Sequence, residues 1–432
     1  MNNNYETTLQ QAPRPISGLN YQSELDFSAP KRARLGSITE SASATQDETT
    51  ASLEGARVSR RRKRYEMLKT SAKVLGKKHR VSSCQKVPTY AVQNGISKRG
   101  ISKNQHGHAH FHGVGSCGDV WACPICAQKI AEGRRREILH GLGQWRKMGK
   151  GNKALMITRT FSHSHKDSLS DIIKRFQKAV SAMKGSRPYK RILESIGYKG
   201  AIRALEVTHG ENGWHPHHHE IVLIDSPEIT QAMLDDAETE MYELWVTYCK
   251  KHGLGRPSRK HGIRIDYRKN GEEAVGAYIS KFGFELTYGH TKRGKEGSRT
   301  PWGILEDVYE SEQQGHFHYG DYKLFKEYAE AMKGRAQLYW SRGLKELLAV
   351  DEFTDEELAD KPERDHVRDV SDKEWHAIVK LGKHAEVLEV AEKNPEKLDG
   401  FIGSLVDFLS NRERERIAEE QRRKRWIKES TL

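Results

Sequence analysis

Residues 214–224 read WHPHHHEIVLI, four histidines at the mouth of a run of branched apolar side chains. In a strand, alternate side chains share one face. His215, His217 and His219 therefore point one way, followed by Ile221 and Leu223, while His218, Glu220, Val222 and Ile224 point the other. Two imidazoles two residues apart on one face can chelate a divalent cation together. Just upstream, HGENGW (209–214) places Gly210 and Gly213 around Glu211-Asn212, the makings of a tight hairpin. If the hairpin is symmetric about that pair, Glu206 lies opposite His217 and Ala204 opposite His219; a one-residue slip would swap the faces. Two histidines and a carboxylate with open positions suit Mn2+ or Mg2+ bound jointly with phosphate. The competing reading is a histidine-rich strand end that binds nothing.

Two further groups carry chemistry. In EEAVGAYISKF (272–282), Val275, Ile279 and Phe282 recur at helix spacing, and Tyr278 and Lys281 lie three apart on another face. A phenol is a poor nucleophile at neutral pH, but a neighbouring ammonium and a metal-bound phosphate favour phenolate attack. An ordinary amphipathic helix shows the same spacing. Cys117, Cys123 and Cys126, the last two in a C-P-x-C turn, offer three ligands of a tetrahedral Zn2+ site. Cys84, His110 and His112 are the candidates for the fourth. Cys249, inside an amphipathic helix, reads as a core thiol. Arg134, Arg135 and Arg136 follow the cysteine cluster, either on phosphates or simply solvated.

The elements that must position these residues read as α+β. KALMITRTF (153–161), IRALEVTHG (202–210), HPHHHEIVLI (215–224) and GIRIDYR (262–268) are strands. Residues 167–184 form an amphipathic helix with Ser168 or Ser170 near its start. Residues 226–251 form another, with Pro227 in its first turn, and 272–282 a third. Strand, helix, two strands, helix, strand is a ferredoxin-like antiparallel sheet with helices. The chain beyond 320 reads as helical.

Four regions follow: a disordered tail at 1–57, a basic arm and Cys-rich zinc module at 58–150, the sheet domain at 151–345, and a charged helical C-terminal region at 346–432. The basic stretch RVSRRRKRYEMLKTSAKVLGKK (57–78) is a DNA-contacting arm, an import signal or a solvated helix. Net charge is +14 with 31% charged residues, which favours a polyanionic partner, nucleic acid before membrane. No apolar run nears the roughly 18 residues of a membrane span. The start MNNNYETTLQ lacks a secretory pattern, so a cytoplasmic location is expected. Five cysteines, three crowded at 117–126, suit a reducing compartment.

Together, a strand–helix–hairpin carrying His-x-His and a later helix carrying Tyr-x-x-Lys resemble the HUH endonucleases, and within them plasmid and phage rolling-circle replication initiators. The resemblance covers roughly 80–345. MITRT (156–160), HHH (217–219) and AYISKF (277–282) fall at the family's three motifs, and CGDVWACPICAQKIAEGRRREI and KEYAEAMKGRAQLYWSRGLKEL also look like stretches found there. The resemblance implies His217 and His219 as metal ligands with Glu206 the third, Tyr278 as nucleophile and Lys281 as its supporting cation. It also favours Cys84 as the fourth zinc ligand, since the family has a cysteine in that region. The middle motif residue, apolar in the family, is His218 here, with His215 a reserve ligand. The position of a second tyrosine in some relatives holds Phe282, which implies a single-tyrosine mechanism, or release by water activated by Glu272, Glu273 or Glu285. The implied partners are single-stranded and origin DNA, with a host helicase and polymerase beyond them. A transposase or relaxase of the same chemistry, or a non-enzymatic zinc DNA-binding protein, are the alternatives.

Overall fold

The computed structural model describes residues 46–89, 99–104, 107–267, 297–360 and 365–430. The chain divides into two units, 1–53 and 54–432; both sheets and the helices packed on them belong to the second. In chain order, α1 (Gln46–Leu75) is followed by β1 (Gly100–Lys103), β2 (Ala109–His112) and α2 (Pro124–Met148). The next segment runs β3 (Asn152–Arg159), α3 (Leu169–Gly185), α4 (Arg187–Ser195), β4 (Tyr198–Gly210), β5 (Gly213–Asp225), α5 (Gln231–Lys251) and β6 (Ile263–Asp266). Then come α6 (Pro301–Gln313), α7 (Tyr319–Met332), β7 (Leu338–Trp340), α8 (Leu344–Leu347) and α9 (Asp355–Asp360). β8 (Asp365–Asp369), α10 (Asp372–Leu381), α11 (His384–Lys393) and α12 (Leu398–Ser430) complete the described chain.

β6, β3, β5, β4 and β7 lie side by side in that order, every neighbouring pair antiparallel. Leaving out the β7 edge, the order fourth-first-third-second is ferredoxin-like. Helix α3 covers one face because Leu169, Ile172, Ile173, Phe176, Val180 and Met183 recur at three- and four-residue intervals and are buried. The Ser168 side chain caps it, accepting from the Asp171 amide at 3.4 Å. Strand β5 is buried on both faces from His218 to Ile224. Val222 and Ile224 join the large core beneath α3 and α5, while Ile221 and Leu223 join a smaller core with Ile138, Leu142 and Trp145 of α2 and Leu344 of α8.

Some segments differ from the sequence expectation. Helix α5 starts at Gln231 with the Thr230 hydroxyl as cap (3.3 Å from the Met233 amide), so Pro227 is not in its first turn. The Ser226 and Pro227 carbonyls are instead tied to the Lys153 ammonium at 2.9 Å. Beyond 320 the chain is interrupted by β7, whose Leu338 and Trp340 turn inward onto the smaller core while Tyr339 faces out. Helix α1 begins at Gln46, inside the stretch read as tail; residues 1–45 lie outside the described residues. The C-terminal stretch is not separate from the Cys-rich module: β8 pairs with β1 in the sheet β2-β1-β8. Glu392 of α11 gathers Arg57 and Arg61 of α1 and the Ala109 amide of β2. Arginines expected on an exposed arm are thus internal ties of the fold.

Candidate active site and metal centre

Cys84, Cys117, Cys123 and Cys126 converge on one point. Cys84 follows a 3-10 turn, and Cys123 caps α2 with its own sulfur, which accepts from the Cys126 amide at 3.4 Å. Pro124 begins the helix, and its first turn swings Cys126 back beside Cys123. The sulfurs stand 3.5 Å (Cys84–Cys126 and Cys84–Cys123) and 3.7 Å (Cys117–Cys126) apart, and none is in a disulfide. A tetrahedron with metal–sulfur bonds of about 2.3 Å has edges of about 3.8 Å, so the four thiols fit one ion. Burial pushes the Cys123 thiol far up, whereas hydrogen bonds from Cys117, Cys123 and Cys84 hold Cys126 well down. Of the three candidates for the fourth position, Cys84 is the one in place. His110 and His112 sit on β2 outside the cluster.

The second cluster lies on the main sheet. The β4–β5 hairpin turns through Glu211 and Asn212, with Gly213 at φ 85°, and sets Glu206 opposite His217 and Ala204 opposite His219. This is the register read from the sequence. Glu206, His217 and His219 share the face of Ile221 and Leu223, beyond the last side chain of the smaller core. Glu206 Oε2 stands 3.2 Å from His217 Nε2 and 3.5 Å from His219 Nε2. Two ligands at about 2.1 Å from one ion are about 3.0–3.4 Å apart.

Hydrogen bonding aims these rings. His217 Nδ1–H donates to the His215 carbonyl at 3.2 Å, since a carbonyl only accepts, so the Nε2 lone pair of a neutral His217 faces a carboxylate oxygen. His219 Nδ1 lies 3.0 Å from Thr158 Oγ1, across the β3–β5 pairing. Glu206 Oε1 is buried and accepts no hydrogen bond among the described residues. Burial opposes charge on Glu206; protonated His219 and His217 hold its carboxyl well below the usual range, and with neutral rings that support must come from a cation. Acceptors facing acceptors, with an orphaned carboxylate oxygen, are the arrangement a cation completes.

His218 departs from this set because it points the other way. It is buried 4.4 Å from the Phe176 ring, and burial, with Arg203 and Arg159 nearby, drives its pKa far down and keeps it neutral. It stands in as a core residue. His215 lies outside the three-ligand group, its ring 5.1 Å from that of His217, and burial pushes its pKa down to about 3. Behind His219, buried Glu220 pairs with Arg159 and Lys184, and Arg159 donates to the Tyr189 hydroxyl. The sequence alone places Thr158 and Arg159 only within MITRT and Glu220 only on the His218 face; the strand register reveals their contacts. Arg134 pairs with Glu137 and Asp355, and Arg135 and Arg136 with Glu132, so these arginines are internally matched. Cys249 is buried, as a core thiol. Tyr278, Lys281, Glu272, Glu273 and Glu285 lie outside the described residues.

The chain thus combines an antiparallel α+β sheet that bears a Glu–His–His group with a four-cysteine cluster. Residues 103–247, about a third of the chain, match the family described as "Replication protein". The match holds Cys117, Cys123, Cys126, Glu206, His217 and His219, while Cys84 and Tyr278 fall outside it. The chain is similar to "Protein rep" of Streptomyces lividans, 27% identical over 363 residues, covering 68% of this chain and 78% of that protein. It is also similar to a "Neomycin resistance protein" of Streptomyces cyanogenus, 34% identical over 149 residues, 29% of this chain and 34% of that one. No solved structure matches. Among the described residues, no helix is long and apolar enough to cross a membrane.

Proposed function

We propose that this protein initiates rolling-circle replication by nicking and rejoining single-stranded origin DNA through a 5′-phosphotyrosyl intermediate. The observation that carries the reading is the Glu206–His217–His219 cluster on the β4–β5 hairpin, three residues whose ligand atoms lie within 4.8 Å of one another. These residues fit Mn2+ or Mg2+. Glu206, His217 and His219 would hold the ion, which would supply positive charge to a non-bridging phosphate oxygen. Tyr278 is the nucleophile: its Oη bonds to phosphorus as the bond from phosphorus to the 3′ oxygen breaks, leaving a free 3′-OH to prime synthesis. Lys281 stabilises the phenolate. Because one phosphodiester replaces another, attack by a 3′-OH on the phosphotyrosine reseals the strand and returns the phenol. The four cysteines hold a structural Zn2+.

The test is incubation of the full chain with labelled single-stranded origin DNA and Mn2+, followed by denaturing electrophoresis. A labelled covalent adduct is expected from the wild type and none from Tyr278→Phe. An equal adduct from that variant, or none from the wild type, overturns the reading.

A further inference from the structure

A third group of side chains able to ligate a metal lies on the small sheet and shares no residue with the two clusters above. His112, His366 and Asp369 each offer one atom, all within 4.8 Å of one another. The three strands β2-β1-β8 build it. His112 and Asp369 flank Gly100 of the central strand in the same row, and His366 pairs with Ser102 beyond a register shift at Ile101/Ser102. Gly100 is what makes room: a Cβ there would come within 2.6 Å of His112 Cε1 and 2.7 Å of Nε2. The His112 ring is aimed from behind, because buried Ser102 Oγ holds its Nδ1 at 2.8 Å and leaves Nε2 over the glycine. His366 Nε2 stands 3.4 Å from Asp369 Oδ1, and the two imidazoles are 5.5 Å apart. Arg368, the adjacent guanidinium, is committed to Glu374 and Asp399.

We propose that His112, His366 and Asp369 form an accessory divalent-metal site. Two imidazoles and one carboxylate, half open to water, suit Zn2+ and neighbouring borderline ions rather than Mg2+. The ion clips β8, the strand that leads into α10, α11 and α12, onto the β1–β2 pair. His112 lies inside the replication-protein match, whereas His366 and Asp369 lie beyond it, so the clip joins the C-terminal region to the family domain.

The experiment uses the untagged full chain in equilibrium dialysis at fixed free Zn2+, with hydrogen exchange of residues 365–369 with and without the metal. His366 and Asp369 are exposed, so His366→Ala and Asp369→Ala spare the core. Each variant is expected to bind one zinc fewer per chain than the wild type. Zinc should slow exchange at 365–369 by about tenfold or more in the wild type alone. Equal zinc content in the wild type and both variants, or exchange that zinc slows equally in all three, overturns the proposal.

Discussion

The cysteine cluster and the hairpin cluster could each hold a cation and are built on opposite principles. Three of the four thiols are buried and the set closes on itself, leaving no position for a ligand from outside. The hairpin cluster has three ligand residues, two nitrogen donors and one carboxylate, where the smaller core ends, one short of the four that close the cysteine site. A closed soft site stabilises a fold, and an open site of nitrogen and oxygen ligands is available to a substrate. The difference is one of ligand count and of where each cluster stands relative to a core.

The largest effect that would break this comparison is on the closed site. Cys126→Ser should strip one zinc and cost about 5 kcal/mol or more of stability, read by metal analysis and thermal unfolding. Survival of the wild-type melting point would mean the cluster is not structural. At the open site the pattern should invert. Glu206→Gln is expected to lower adduct formation about 10²–10³-fold while the unfolding midpoint moves by no more than about 2 °C. Loss of folding there would make the two sites alike.

Thr158→Val sharpens the contrast further, since it removes only the hydroxyl beside His219 Nδ1. About tenfold weaker binding of Mn2+, measured by titration calorimetry, is the expected result; unchanged affinity would show that the ring needs no such support. The smallest signal is in acid. Burial raises the Glu392 carboxyl, but Arg61 and Arg57 outweigh it and bring it from its ordinary 4.5 to about 2. A folded pKa below the unfolded one stabilises the protein above about pH 4.5, and that contribution is lost as pH falls towards 2. Glu392→Gln should therefore flatten the acid limb of the stability curve near the cysteine module, and an unaltered limb would discount this tie.

Much of the site was legible because strand geometry is a short-range rule. Alternation separates His217 and His219 from His218, and two glycines around Glu211-Asn212 fix the turn, hence the Glu206–His217 register. Helix α3 was equally legible from its apolar spacing and Ser168 cap. Segments whose structure depends on distant partners were not. β7 is a strand only because β4 offers an edge and a core for Leu338 and Trp340. The charged α1 reads as a solvated or DNA-bound arm until Glu392, more than 300 residues away, closes on Arg57 and Arg61.

By itself, then, the sequence determined the strand faces, the hairpin register, the three crowded thiols and the ferredoxin-like order of elements, all consequences of local periodicity and turn chemistry. Only the tertiary structure decided that Cys84 rather than a histidine closes the thiol cluster. It alone placed His218 in the core, set Thr158 behind His219, and brought His366 and Asp369 across a glycine to His112. Each of those outcomes depends on which segments meet in space, and that is settled by burial of two cores and pairing of strands far apart in the chain.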